Sequence, residues 1–77
     1  MNTDLVYVGA AVLNAEQAAV VRYIIIQELT ESQAAVLLTE ISGRFYTRDR
    51  VHRIRLTSIA KMRRAIEAHL ATAAIAA

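Results

Sequence analysis

Apolar positions recur at helical spacing in three parts of the chain, and a residue of helix-capping type stands ahead of each. Ala18, Val21, Ile25 and Leu29 repeat every three to four residues, the period of a buried helix face. Asn14 precedes them with Gln17 three residues on, the capping-box spacing, so a first helix is expected over 14–29. Val20, Tyr23, Ile24 and Ile26 widen its apolar face almost to the full circumference, which implies deep burial or pairing with another chain. Ala34, Leu37, Leu38 and Ile41 form a second stripe over 30–42, opened by Thr30 with Gln33. Gly43 is placed to end it, since a left-handed residue there meets no Cβ clash. No proline or glycine interrupts Leu29-Thr30-Glu31, so Thr30 either opens a separate helix or marks a one-residue break in a long bent one.

Gly43-Arg44-Phe45-Tyr46 reads as a turn, and Thr47 as the cap of a third helix with Asp49 in its first turn. Val51, Ile54, Ser58, Met62, Ala65, Ile66, His69 and Ala73 then follow on one face. The third helix is therefore expected over 47–72, with a tail at 73–77. Residues 4–9, Asp-Leu-Val-Tyr-Val-Gly, alternate weakly and suggest a short strand or an extended arm within 1–12. The pattern predicts a small all-α domain of three helices: a helix-turn-helix with a long C-terminal recognition helix.

Composition narrows the class further. Seventy-seven residues form one domain, and a chain of this size buries only roughly 60 % of its unfolded surface. A homodimer is a natural way to enlarge so thin a core, and the alanine-rich stretch from Ala65 reads either as a close-packing seam or as a fraying helical end. Absence of cysteine excludes a disulfide framework. The densest apolar run, Tyr23-Ile24-Ile25-Ile26, falls far short of the roughly 20 residues of a membrane helix. No basic residue stands ahead of the first apolar stretch, so a secretory signal is not expected and a cytoplasmic location is.

Net charge is only +2, yet its distribution is uneven. Arg44, Arg48, Arg50, Arg53, Arg55, Lys61, Arg63 and Arg64 are opposed within 44–64 by Asp49 alone. Residues 1–43 hold Asp4, Glu16, Glu28, Glu31 and Glu40 against Arg22. An acidic half joined to a basic half points to a polyanionic partner on one face.

The segment Thr39-Glu40-Ile41-Ser42-Gly43-Arg44-Phe45-Tyr46-Thr47-Arg48-Asp49-Arg50-Val51-His52-Arg53-Ile54, continued through Ile59-Ala60-Lys61-Met62-Arg63, resembles region 4 of bacterial sigma factors, which reads the −35 promoter element. The likeness covers about a third of the chain. It departs from the family in a turn one residue shorter, and in Arg53 and Arg55, where polar or acidic residues are more usual. What it implies is a recognition helix that begins at Thr47 and enters the major groove of double-stranded DNA.

On such a helix Arg48, Asp49, His52 and Arg53 are available to base edges. Arginine donates to guanine O6 and N7, and aspartate accepts from cytosine N4. The resemblance implies the same positions as base readers. Arg44, Thr47, Arg50, Lys61 and Arg64 are placed for phosphates, which give affinity without sequence information. Arg55 falls near the apolar stripe and is expected to snorkel or to pair with an acidic residue of the first two helices. His52 has no cluster of metal ligands around it, and His69 reads as a packed or dimer-interface residue. No nucleophile–histidine set or phosphate-binding glycine loop is present, so neither catalysis, a metal nor a cofactor is expected. Two functions follow: a sequence-specific transcriptional regulator, or a small protein, of a kind that would suit a phage, that binds RNA polymerase and competes with sigma region 4 for it.

Overall fold

The computed structural model describes residues 3–76 and is all helical. Four α-helices follow one another: α1 (Thr3–Ala10), α2 (Ala15–Val21), α3 (Glu31–Ser42) and α4 (Arg48–Ala76). The strand or arm expected near the N-terminus is instead the helix α1, so the bundle has one helix more than its periodicity suggested. Met1, Asn2 and Ala77, the outer ends of the expected arm and tail, lie outside the described residues. Gly9 lets α1 approach α4: a Cβ there would lie 3.0–3.3 Å from the Met62 side chain. Six residues of weak alternation cannot compete with that docking, because a lone strand has nothing to pair with.

Both expected capping boxes form. Asn14 Oδ1 accepts from the Gln17 N–H at 2.8 Å, and Gln17 Oε1 accepts from the Asn14 N–H at 3.1 Å. Thr30 and Gln33 make the same reciprocal pair at 3.1 and 2.9 Å. Thr30 therefore opens a separate helix, which decides between the two alternatives left open above. The first helix, however, stops well before residue 29. After Val21 the backbone widens into a π-turn over Arg22–Ile26, where the Gln27 N–H donates to the Arg22 carbonyl at 3.0 Å. An inserted residue rotates all that follows by about 100°. Tyr23 and Ile24 consequently pack on the core, while Ile25, expected inside, turns outward. Glu28 then adopts φ 57°, a left-handed stop usually left to glycine. Gly43 takes φ 73° at the end of α3, as anticipated.

The core is small. Val20, Ala34 and Val51 are completely buried, ringed by Ala35, Leu38 and Tyr46, with Ala19, Tyr23, Ile24 and Ile54 packed against them. Ser58 is also fully buried, and its hydroxyl donates to the Ile54 carbonyl at 2.6 Å, so no buried polar group is stranded there. The inward stripe of α4 holds through Ile66. Beyond it, from Glu67 onward, the described side chains are exposed, including His69 and Ala73 of the expected stripe, so neither packs within the chain. At about 1.5 Å per residue α4 is about 43 Å long and accounts for most of the 47 Å long axis. No described helix is long and apolar enough to cross a membrane.

Candidate nucleic-acid interface

The first turn of α4 is set by short-range bonds that the sequence encodes locally. Thr47 Oγ1 accepts from the Arg50 N–H at 3.1 Å, capping the helix. Thr39 of α3 holds the incoming turn, with its Oγ1 accepting from the Tyr46 N–H at 2.9 Å and donating to the Ala35 carbonyl at 2.8 Å. Ser42 closes the other end of the turn by accepting from the Arg44 N–H at 3.1 Å and donating to Leu38 at 2.6 Å. α3 and α4 are thus joined rigidly through residues 43–47.

Tyr46 ties this turn to α2. Its ring is buried, its hydroxyl donates to Glu16 Oε2 at 2.6 Å, and the Arg50 guanidinium sits 4.6 Å above its centroid. Arg50 donates to the same Glu16 oxygen at 3.2 Å. The neighbouring Glu16 carboxylate, with burial second, pushes the Tyr46 hydroxyl above its ordinary 10.0, because a phenolate there would face a negative charge.

A second carboxylate, Glu31 at the start of α3, gathers three residues of α4. His52 Nδ1 donates to Oε2 at 2.6 Å, Arg55 Nη1 donates at 3.4 Å, and Arg48 Nη2 lies 3.8 Å from Oε1. The bond from His52 is the largest influence holding the Glu31 carboxyl below its ordinary 4.5; partial burial opposes it, and Arg55 adds to it. Arg55 therefore pairs with an acid of the preceding helices, as its position near the apolar stripe implied.

These two anchors divide the nine predicted contact residues. Arg48 and His52 flank the outward face with their heads drawn toward Glu31, although Arg48 keeps 67 % of its side chain exposed. Asp49 is 87 % exposed, with Arg48 at 4.0 Å. Arg53 is exposed and has no bonded partner among the described residues. Of the expected phosphate contacts, Arg50 is tied to Glu16, Lys61 Nζ donates to Gln17 Oε1 at 3.4 Å, and Thr47 is engaged as a cap. The side chains of Arg44 and Arg64 are exposed and carry no carboxylate partner among the described residues. By helical geometry Asp49, Arg53, Leu56, Ala60 and Arg64 form one outward line, with Arg53 and Arg64 about 16 Å apart along the axis.

Glu16, Glu31 and Tyr46 were missed as site-shaping residues. The available signal was their placement: both glutamates lie in the first turn of a capped helix, where a carboxylate suits the helix dipole. Spacing hints that Arg55 pairs with an acid, but neither which acid it meets nor the long-range pairing of Arg50 is visible there. No protein-family model, no curated protein and no solved structure matches this chain.

Proposed function

We propose that the chain is a DNA-binding transcriptional regulator that presents the first turns of α4 to the major groove. One observation carries this reading: a capped, basic helix is held out by a hydrogen-bonded turn, with Arg53 and Arg64 on its outward line and ion-paired to no carboxylate among the described residues. Glu16 and Glu31 also support it, because each orients basic residues of α4 without lying on that line. In this arrangement Arg53 and Asp49 read base edges, and Arg48 and His52 approach from the Glu31 side. Arg44, Arg50, Lys61 and Arg64 face phosphates, with the Thr47 cap at the helix entrance. The sigma region 4 likeness of residues 39–63 agrees with this orientation.

The test is fluorescence anisotropy of a random-sequence duplex titrated at about 50 and 200 mM salt. Four phosphate-contacting cations give a slope near −3.6 in log K against log salt, a loss of roughly a hundredfold between the two. Absence of binding at the lower salt would sink the proposal.

A second reading has its own support. Ile41 at the end of α3 and Phe45 in the turn are large apolar side chains left 69 % and 75 % exposed, four residues apart. A protein partner such as RNA polymerase would use them. A pull-down with polymerase that survives Arg53→Ala and fails with Phe45→Ala is the expected result for that function.

A further inference from the structure

A second apolar surface runs beside the C-terminal half of α4 and belongs to neither the core nor the basic line. At its centre is the π-turn, which leaves Ile25 and Ile26 as a ridge, 49 % and 67 % exposed. A groove lies on each side of that ridge, and Met62 contributes to both. The first is walled by Ile25 on the ridge side, lined along α4 by Ile59 and Ile66, and bordered by Arg63 and Glu67. The second lies between Ile26, Leu13 and the exposed Tyr7. Arg63 and Glu67 stand one helical turn apart, and no ion pair joins either of them to a described residue.

We propose that this face binds a second copy of the chain across a two-fold axis, a conclusion that does not depend on the DNA reading. An interface of that symmetry must be complementary to itself. A ridge flanked by grooves satisfies this in shape, because the ridge of each copy enters a groove of the other. The rim satisfies it in charge. With the two α4 helices antiparallel about a point near residue 65, Arg63 meets the partner's Glu67, and Glu67 meets the partner's Arg63. A rim of one sign would repel its own copy. Demand for burial is also evident: among the described residues Val20 and Val51 are the only large apolar side chains buried completely, while Tyr7, Ile25 and Ile26 remain in water. The π-turn thereby gains a physical role, since it carries Ile25 and Ile26 out of the monomer core and onto this surface.

Sedimentation equilibrium of the full chain, from micromolar to sub-millimolar concentration, is expected to give twice the monomer mass of 8.5 kDa. Ile26→Asp should return the mass to 8.5 kDa with helical circular dichroism retained, while Ile75→Asp, an exposed site on the far side of α4, should leave the dimer intact. Arg63→Glu and Glu67→Arg should each weaken self-association at least about tenfold, because each sets like charges opposite one another. An equimolar mixture of the two variants should restore the dimer, since every rim pair is then opposite in sign. A monomer at every concentration, or a dimer that survives Ile26→Asp, overturns the proposal. Failure of the mixture to recover overturns the antiparallel arrangement.

Discussion

If α4 reads DNA through its outward line, replacing Arg53 must separate base reading from folding more cleanly than replacing any other arginine of the segment. Arg53 is exposed and makes no hydrogen bond or ion pair among the described residues, so Arg53→Ala removes nothing that holds the domain together. Its effect on stability should stay within about 0.5 kcal/mol, the ordinary range for an uncoupled surface site. A bidentate contact to guanine contributes about 1–3 kcal/mol, so affinity for a duplex selected with the native protein should fall roughly 5- to 150-fold. Affinity for a random duplex should fall far less, and its salt slope should hardly change. Arg50→Ala provides the contrast. Arg50 pairs with Glu16 at 3.2 Å and covers the Tyr46 ring, so its loss should cost about 1 kcal/mol and lower Tm by about 4–8 °C. On DNA it should weaken selected and random duplexes alike and reduce the salt slope by about 0.9. Anisotropy titrations on both duplexes at several salt concentrations, beside thermal melts, read all four quantities. Equal losses on both duplexes for Arg53→Ala would refute base reading by that residue. No loss on either would refute the placement of the α4 outward line in the groove.

The remaining predictions concern the scaffold behind that line. Tyr46→Phe removes the hydroxyl that donates to Glu16 at 2.6 Å and should cost about 1.5–3 kcal/mol in urea unfolding, as a hydrogen bond to a charged group does. Because the Tyr46 hydroxyl is raised above 10.0, its contribution is complete below that pH and lost as pH rises through its folded value; the alkaline limb of a stability–pH profile should therefore flatten in Tyr46→Phe. Glu31 is shifted the other way: its contribution is complete above 4.5 and lost as pH falls through its lower folded value, so Glu31→Gln should flatten the acid limb. Gly43→Ala should cost about 1 kcal/mol in the same assay. The reason is its φ of 73°, since a Cβ there would meet nothing within 4 Å. Glu28→Gly, at φ 57°, should instead stabilise by about 0.5 kcal/mol, the relief of left-handed strain exceeding glycine's entropic cost.

How far the fold was legible depended on the range of the interaction that fixes each element. Asn14, Thr30 and Thr47 cap helices through bonds spanning three residues, and Gly43 ends one by its own conformational freedom; all four stood in the sequence as plain signals. The α4 stripe from Val51 to Ile66 was equally clear, because periodicity within a helix is itself local. Its continuation to His69 and Ala73 packs on nothing within the chain, since a period marks which side a residue takes and not whether anything lies opposite. The π-turn broke the one-to-one relation between period and face, sending Ile25 out and Ile24 in, and no residue type announces that insertion. α1 was lost for a related reason: the weak alternation of residues 4–9 outweighed Gly9 at its end, whose meaning depends on Met62 more than fifty positions away.

The candidate interface divides along the same line. Which residues of 44–64 are cationic, and which point outward, follows from sequence and helical geometry alone. Which of them are free to meet a polyanion does not, because Glu16 and Glu31 claim Arg50, Arg48, His52 and Arg55 across separations that spacing cannot see. That redistribution changes the functional argument and not only its detail. A basic helix with every arginine unengaged would be an undirected polycation, attractive to any phosphate backbone. Here the engaged cations fix how α4 sits on α2 and α3, and the unengaged ones, Arg53 above all, stand in a fixed direction. If sequence discrimination exists in this protein, it has to come from that small unengaged set, since those side chains lose no internal partner when they turn to a base.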